Sequence, residues 1–315
     1  MRVAVTGASG FVGGVVVGHL LAAGHDVVAL SRRPVPERPG LVHRRWDLAT
    51  GALADAPTVD AVVHAGAHVD EWSPWSEHVA VTVRGTEAVL DTWPTARVVL
   101  ISSASVYPLR GAGRPSWILT EDDALTRRPL SSYSRAKIAQ EEIVLARGDT
   151  VVLRPHAVHG PGDTTLLPRL DRARRRGRLV CPGGRRTRIH LTDVRLVAAA
   201  VVRACEIDCG TSILNVADER PLELREIVAG LAAANGWRER PLFTGAPAAW
   251  AAALALEGAA RLVRSRTRPL VTAYAASHLA VSRAFATTLL RQRLGLSPPP
   301  TDLSRWTAGP LTPSC

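Results

Sequence analysis

Tyr133 and Lys137 stand four residues apart in Ser131-Ser-Tyr-Ser-Arg-Ala-Lys137, so a helix through this stretch sets a phenol and an ammonium on one face. In a partly dry pocket the ammonium favours the phenolate, the phenol pKa falls toward working pH, and the pair can give or take a proton. Lys137 is the chain's one lysine; the rest of the Lys+Arg total of 39 is arginine. A compact point charge therefore stands where a planar guanidinium would act differently. The spacing alone is common. It gains meaning only if elements that bind a nucleotide precede it.

Those elements begin at the first residues. Arg2-Val-Ala-Val-Thr6 reads as a strand, Gly7-Ala-Ser-Gly10-Phe-Val-Gly13 as a tight turn, and the apolar segment through Leu21 as a helix. Gly7 permits the turn, Gly10 lets backbone amides approach a pyrophosphate, and Gly13 lets the helix pack on the sheet with the phosphates at its positive end. A second strand, Asp26 to Leu30, ends in Ser31-Arg32-Arg33 without a carboxylate. An acidic residue there would accept the ribose 2′-hydroxyl of NAD, whereas arginine suits a 2′-phosphate, so the reading is NADP(H), with NAD(H) as the alternative. Arg32 is the first contact and Ser31 the second. Asp47, after a third strand, is placed at the adenine edge. Val59 to Ala67 reads as a fourth strand entering a small-residue turn, with His64 a packed or hydrogen-bonded residue. A helix spans Glu77 to Trp93, and the strand Arg97 to Ile101 delivers Ser102, Ser103, Ser105 and Tyr107.

The chain's 315 residues, 46% of them apolar, suffice for a sizeable core. The formal charge of +11 raises nucleic acid as a partner, but arginine is scattered through every segment rather than gathered on one face, and no nucleic-acid binding is expected. The densest run, Arg172 to Arg178, reads as a solvated helix face. Cys181, Cys205, Cys209 and Cys315 are too sparse for a disulfide framework and show no zinc spacing, so no metal is expected and the compartment reads as cytoplasmic. No signal peptide or integral membrane segment is expected. Ala246 to Leu256 is the most apolar later stretch, breaks at Glu257 and is too short to span a bilayer, and the segment around Ala246 to Leu262 reads as a lid or a shallow membrane contact.

Thr6-Gly7-x-x-Gly10-x-x-Gly13, then Ser103 at a strand end, then Tyr133-x-x-x-Lys137 resemble the extended short-chain dehydrogenase/reductases, which include nucleotide-sugar epimerases and hydroxysteroid dehydrogenases. Leu153-Arg-Pro155, Gly160-Pro-Gly-Asp163, Ile189-His-Leu-Thr-Asp193 and Leu214-Asn215-Val-Ala-Asp218 carry the likeness downstream, so it covers essentially the whole chain. The tail, Arg268 to Tyr274 and then Arg291-x-x-Leu-Gly295, is similar to the 3β-hydroxysteroid and sterol dehydrogenase branch, as is the Trp72 to Glu77 insertion. Two departures stand out: Thr82 where the family usually has asparagine near the active-site lysine, and His159 where it has tyrosine.

The resemblance implies an α/β fold, a Rossmann-type doubly wound parallel sheet with a smaller, mostly helical C-terminal substrate lobe. The nucleotide domain spans 1–159 with contributions from about 189–218, and the lobe spans 160–188 and 219–315. The implied cofactor contacts are Gly7, Ser9, Gly10, Phe11, Val12, Ser31, Arg32, Arg33, Asp47, Leu48, Ala65, Gly66, Ala67, Tyr133, Lys137, Pro155 and His156. Catalysis falls to Ser103, Tyr133 and Lys137, and substrate contacts to Ser105, Tyr107, His159 and Leu166. Charge developing on a carbonyl oxygen needs pre-placed donors, which Ser103 and Tyr133 supply, while Lys137 holds the nicotinamide ribose and lowers the tyrosine pKa. The expected activity interconverts a ketone and a secondary alcohol on a lipophilic small molecule, steroid-like, 3-keto acyl or polyketide-type, in a homodimer. A nucleotide-sugar epimerase or dehydratase with tightly bound NAD is the alternative.

Overall fold

The computed structural model describes residues 1–109 and 118–307; Cys315 lies outside them. Seven strands form the central sheet: β1 (Arg2–Thr6), β2 (Asp26–Ser31), β3 (Leu41–Arg45), β4 (Ala61–His64), β5 (Arg97–Ile101), β6 (Thr150–Pro155) and β7 (Ser212–Val216). Their order is β7-β6-β5-β4-β1-β2-β3, and every pairing is parallel. The order reverses beside β1, the crevice where doubly wound sheets bind ligands at the strands' carboxyl ends.

Alternation along the strands fills both faces. Val3 and Val5 point into one layer with helices α1 (Phe11–Ala22) and α4 (Val194–Glu206), through Val16, Leu20, Val197 and Val201. Ala4, Val28 and Val62 pack on the other side with Ala88 and Val89 of helix α2 (Arg84–Thr92), while Val98, Leu100 and Val152 meet Val144 of helix α3 (Ser132–Arg147). The helix expected over Glu77 to Trp93 is interrupted: Trp75–His78 leads into a π-helical turn, Val79–Val83, before α2 begins.

A separate apolar cluster joins Leu167, Leu179, Leu224, Leu231 and Trp306. Beside helices it includes a three-stranded sheet of Arg174–Arg175, Arg178–Cys181 and Arg240–Phe243. The arginine run expected on a helix face instead turns over a hairpin, because the helix Leu166–Arg172 stops and Arg176 and Gly177 both take positive φ, 50° and 73°. Cys181, Cys205 and Cys209 are free thiols. No helix among the described residues is long and apolar enough to cross a membrane, and none of their His, Cys, Asp and Glu side chains form a group of three able to hold a metal ion.

Candidate active site

The glycine turn between β1 and α1 is closed to side chains and open to a ligand's charge. A Cβ at Gly13 would lie 2.2 Å from Gly7 O, and one at Gly7, which has φ +68°, would lie 2.9 Å from the Gly66 backbone. No side chain caps α1 at Gly10, so its first amides stay available. Such a turn fits a dinucleotide pyrophosphate, held by backbone N–H groups and the helix dipole. Leu48 seals the flank: a Cβ at Gly66 would meet its Cδ1 at 2.6 Å, and one at Gly85 its Cβ at 2.8 Å. Ala65, Gly66 and Ala67 follow β4 beside this turn, and Gly66 N–H donates to Thr6 Oγ1 at 3.1 Å.

At the end of β2, Arg32 and Arg33 are exposed, and Arg33 Nη2 reaches back to Ser9 O at 3.4 Å. Ser31 Oγ spends its proton on Arg33 O at 2.6 Å and lies 3.2 Å from His43 Nε2. Asp47 caps the turn Leu48–Thr50 by accepting from Ala49 N–H at 3.1 Å. Pro155 ends β6, and the His156 ring is committed to His190 O at 2.7 Å and stacks on His278 at 5.2 Å.

Ser131 caps α3, its hydroxyl accepting from Ser134 N–H at 3.1 Å, and this fixes Tyr133 in the first turn and Lys137 in the next. Ser103 terminates β5's extension and caps the turn Ala104–Val106, accepting from Ser105 N–H at 3.1 Å. The structure thus brings Ser103, Tyr133 and Lys137 to the carboxyl edge of β5. It corrects one electrostatic expectation. Burial pushes the Tyr133 phenol up to about 12, opposed only by the Ser103 hydroxyl, and pushes the Lys137 ammonium down to about 8 against the pull of Glu141. Desolvation wins because the ammonium is turned to backbone and amide acceptors, with Nζ 6.0 Å from the phenol ring centroid.

Those acceptors belong to a chain that spacing did not reveal. Lys137 Nζ donates to Ile101 O and Gln140 Oε1, both at 2.8 Å, and Gln140 Nε2 donates to Thr86 Oγ1 at 2.9 Å. Thr86 spends its proton on Thr82 O at 2.6 Å, so it accepts from His64 Nε2–H at 3.0 Å. His64 Nδ1 is then left to accept from the Thr6 hydroxyl at 2.7 Å, which assigns one neutral tautomer. Burial, and then Lys137, hold His64 down at about 3, in keeping with that assignment. The Thr82 side chain, in asparagine's place, accepts from His68 N–H at 2.9 Å.

Two cavities adjoin the site. The larger, about 780 Å³, is lined by Glu71, Arg135, Glu257, Arg261 and Tyr274 among others. Its buried carboxylates are matched: Glu71 pairs with Arg169 at 2.7 Å and Arg268 at 3.3 Å, and Glu257 with Arg261 at 3.1 Å. The smaller, about 230 Å³, is lined by Ser105, Tyr107, Ser134, Tyr274, His278 and Arg283 among others. Tyr274 borders both and packs edge-on against Tyr133 at 6.0 Å. Of the expected substrate residues, Ser105 and Tyr107 line the smaller cavity, although the Tyr107 hydroxyl is already held by Asn215 at 2.8 Å and Arg154 at 2.9 Å. His159 is instead locked to Asp218 at 2.9 Å, and Leu166 packs with the Trp306 cluster.

Residues 3–217 match the model of the NAD dependent epimerase/dehydratase family. A 2-alkyl-3-oxoalkanoate reductase of Stenotrophomonas maltophilia is 30% identical over 319 aligned residues covering 95% of both chains. A farnesyl-dihydroquinoline-oxide ketoreductase of Stigmatella aurantiaca is 30% identical over 75% of this chain and 74% of its own. Among solved structures, MoeE5 in complex with UDP-glucose and NAD superposes with a TM-score of 0.75 at 27% identity, covering 97% of both chains.

Proposed function

This chain belongs to the NAD dependent epimerase/dehydratase family and is an enzyme of the extended short-chain dehydrogenase/reductase type, and on that premise we propose that it interconverts a ketone and a secondary alcohol on a lipophilic substrate with NADP(H). The observation that carries the reading is the meeting of Ser103 and Tyr133 at the end of β5, one helical turn from Lys137. The nicotinamide nucleotide, when bound, would supply the hydride for reduction or accept it in oxidation. Tyr133 gives its proton to the carbonyl oxygen in reduction and receives it in oxidation, and Ser103 donates a second hydrogen bond to the oxygen as charge develops. A phenol held protonated by burial suits the acid role. Lys137, pinned by Ile101 O and Gln140, holds the ribose hydroxyls. The glycine turn holds the pyrophosphate, and Arg32 with Arg33 receives a 2′-phosphate.

The two reductases support the substrate class through their names. We take 160–188 and 219–315 as the substrate lobe over the 1–159 and 189–218 nucleotide part, in a cytoplasmic homodimer. The test is consumption of NADPH and NADH over 3-keto steroids, 2-alkyl-3-keto acids and acyl thioesters. Tyr133→Phe is expected to lower turnover by about 10²–10⁴-fold, the usual range for losing a general acid. Unchanged turnover would remove Tyr133 from the mechanism. The second reading, a nucleotide-sugar epimerase or dehydratase, is favoured by the likeness to MoeE5 with its bound UDP-glucose and NAD. NAD that copurifies with the protein, with no NADPH turnover on any ketone, would promote it.

A further inference from the structure

We propose that Arg283 is the anion-binding residue of the substrate site and that the smaller cavity receives the carboxylate of a keto acid. Arg283 is 3% exposed, yet its Nε and Nη1 have no hydrogen-bond partner, and Nη2 reaches only Ser277 Oγ at 3.4 Å. Among the described residues lining this cavity the one other charged side chain is Arg128, and there is no Asp or Glu.

The one other buried guanidinium among the described residues is treated differently. Arg154, 2% exposed, is clasped by Glu141 at 2.6 Å, and the carboxylates of the larger cavity are matched by arginines. An unpaired buried charge is costly, since the attraction that would offset its desolvation is missing. The surroundings respond to it. Burial holds His278 down at about 3 with Arg283 adding to the effect, and burial, His278 and Arg283 hold His156 well below its ordinary range. The neighbouring rings are therefore neutral, and none supplies the missing negative charge.

The place of the cavity says what the anion belongs to. Ser105 follows Ser103 by two residues, Ser134 follows Tyr133 directly, and Tyr274 packs edge-on against the Tyr133 ring, so the cavity lies beside the pair that handles the carbonyl oxygen. A guanidinium fork matches a carboxylate in two parallel hydrogen bonds. Pro108, Leu109 and Leu130 give the same cavity an apolar wall suited to an alkyl substituent. This assignment rests on the ketoreductase reading and narrows its substrate to a free keto acid.

The experiment compares the wild type, Arg283→Gln and Arg283→Lys on a 2-alkyl-3-keto acid and its methyl ester with NADPH. The acid-to-ester ratio of kcat/KM is expected to fall at least tenfold in Arg283→Gln, through KM for the acid, and to be partly restored in Arg283→Lys. A ratio within twofold of the wild type would overturn the assignment. Calorimetric titration with hexanoate and hexanol, without cofactor, reads the site apart from turnover. Hexanoate affinity is expected to drop at least tenfold in Arg283→Gln while hexanol shows no such dependence; equal loss for both, or none for hexanoate, would overturn it. Arg283-dependent hexanoate binding with no ketone reduced would sustain the anion site and reject the ketoreductase reading. Ketone reduction with hexanoate binding indifferent to Arg283 would do the reverse. Arg283→Gln is expected to melt no lower than the wild type, since it removes an unpaired buried charge, so a folding failure would itself count against the site.

Discussion

Gln140 Oε1 accepts from Lys137 Nζ at 2.8 Å, three residues along the same helix, and so ties the ammonium through Thr86 and His64 to the strand that launches the glycine turn. Gln140 is a positioning residue: it holds the lysine from one end of its amide and Thr86 from the other. Gln140→Leu removes an acceptor that favours the charged amine and leaves the Thr86 side of the chain short of a donor. Turnover is expected to fall about tenfold, and the high-pH limb of kcat/KM, set by a lysine at about 8, to move to lower pH. Gln140→Glu places a carboxylate beside the ammonium and is expected to move the limb to higher pH. Equal limbs in all three proteins would show that Gln140 acts only as packing.

The lysine's pKa also sets a stability signature. The ordinary value is 10.5 and burial brings it to about 8, so between these the unfolded chain binds more protons than the folded one. Stability contributed at this site therefore rises with pH through that window, as the folded protein sheds its buried ammonium. Lys137→Met removes the titration and leaves the other groups in place. The wild type is expected to gain on the variant by up to about 1.4 kcal/mol per pH unit from pH 8 to 10.5. Denaturant melts at several pH values check this, and a constant difference would place the lysine's pKa in its ordinary range.

Spacing made the glycine turn and the parallel sheet around it legible, because glycine demands and strand alternation act locally. Gly7, Gly10 and Gly13 each have a steric role that three-residue spacing expresses, and Ser131 starts α3 where its hydroxyl can reach Ser134 N–H. What burial decides was illegible. The same Tyr133 and Lys137 spacing suits a lowered or a raised phenol pKa, and only the enclosure of both groups sets the direction. Arg283 was hidden for a different reason. In a chain so rich in arginine one guanidinium carries no signal until the fold shows which lacks a carboxylate. His159 looked like a substrate contact by its place before Gly160, but its partner Asp218 is distant in sequence and brought to it by the fold.

The Glu141–Arg154 pair lies behind the site, with Glu141 fully buried, Arg154 2% exposed, and Ser102 Oγ donating to the same carboxylate. Glu141→Ala leaves a buried guanidinium unpaired and is expected to cost about 3–5 kcal/mol. Joint replacement, Glu141→Leu with Arg154→Met, removes both charges and is expected to recover most of that loss, with the Tyr107 and Ser102 hydroxyls bearing the remainder. Urea unfolding of the single and double variants measures the difference. Additive losses would mean the pair is not coupled.

Gly13 and Gly14 adjoin on α1 and are expected to answer the same substitution in opposite ways. A Cβ at Gly13 falls 2.2 Å from Gly7 O and 2.8 Å from its carbon, both backbone, so Gly13→Ala must push the turn itself out of shape. A Cβ at Gly14 meets Ala8 O at 3.6 Å, an ordinary contact, and alanine there improves helix propensity by about 0.8–1 kcal/mol. Overpacking against a fixed backbone typically costs about 1–3 kcal/mol, and the displaced amides are those that would meet the pyrophosphate. Gly13→Ala is expected to lower the melting temperature and weaken NADPH binding at least tenfold by fluorescence titration, while Gly14→Ala raises the melting temperature and keeps the affinity within about twofold of the wild type. If Gly13→Ala bound NADPH as tightly as the wild type does, the turn would not be the pyrophosphate cradle.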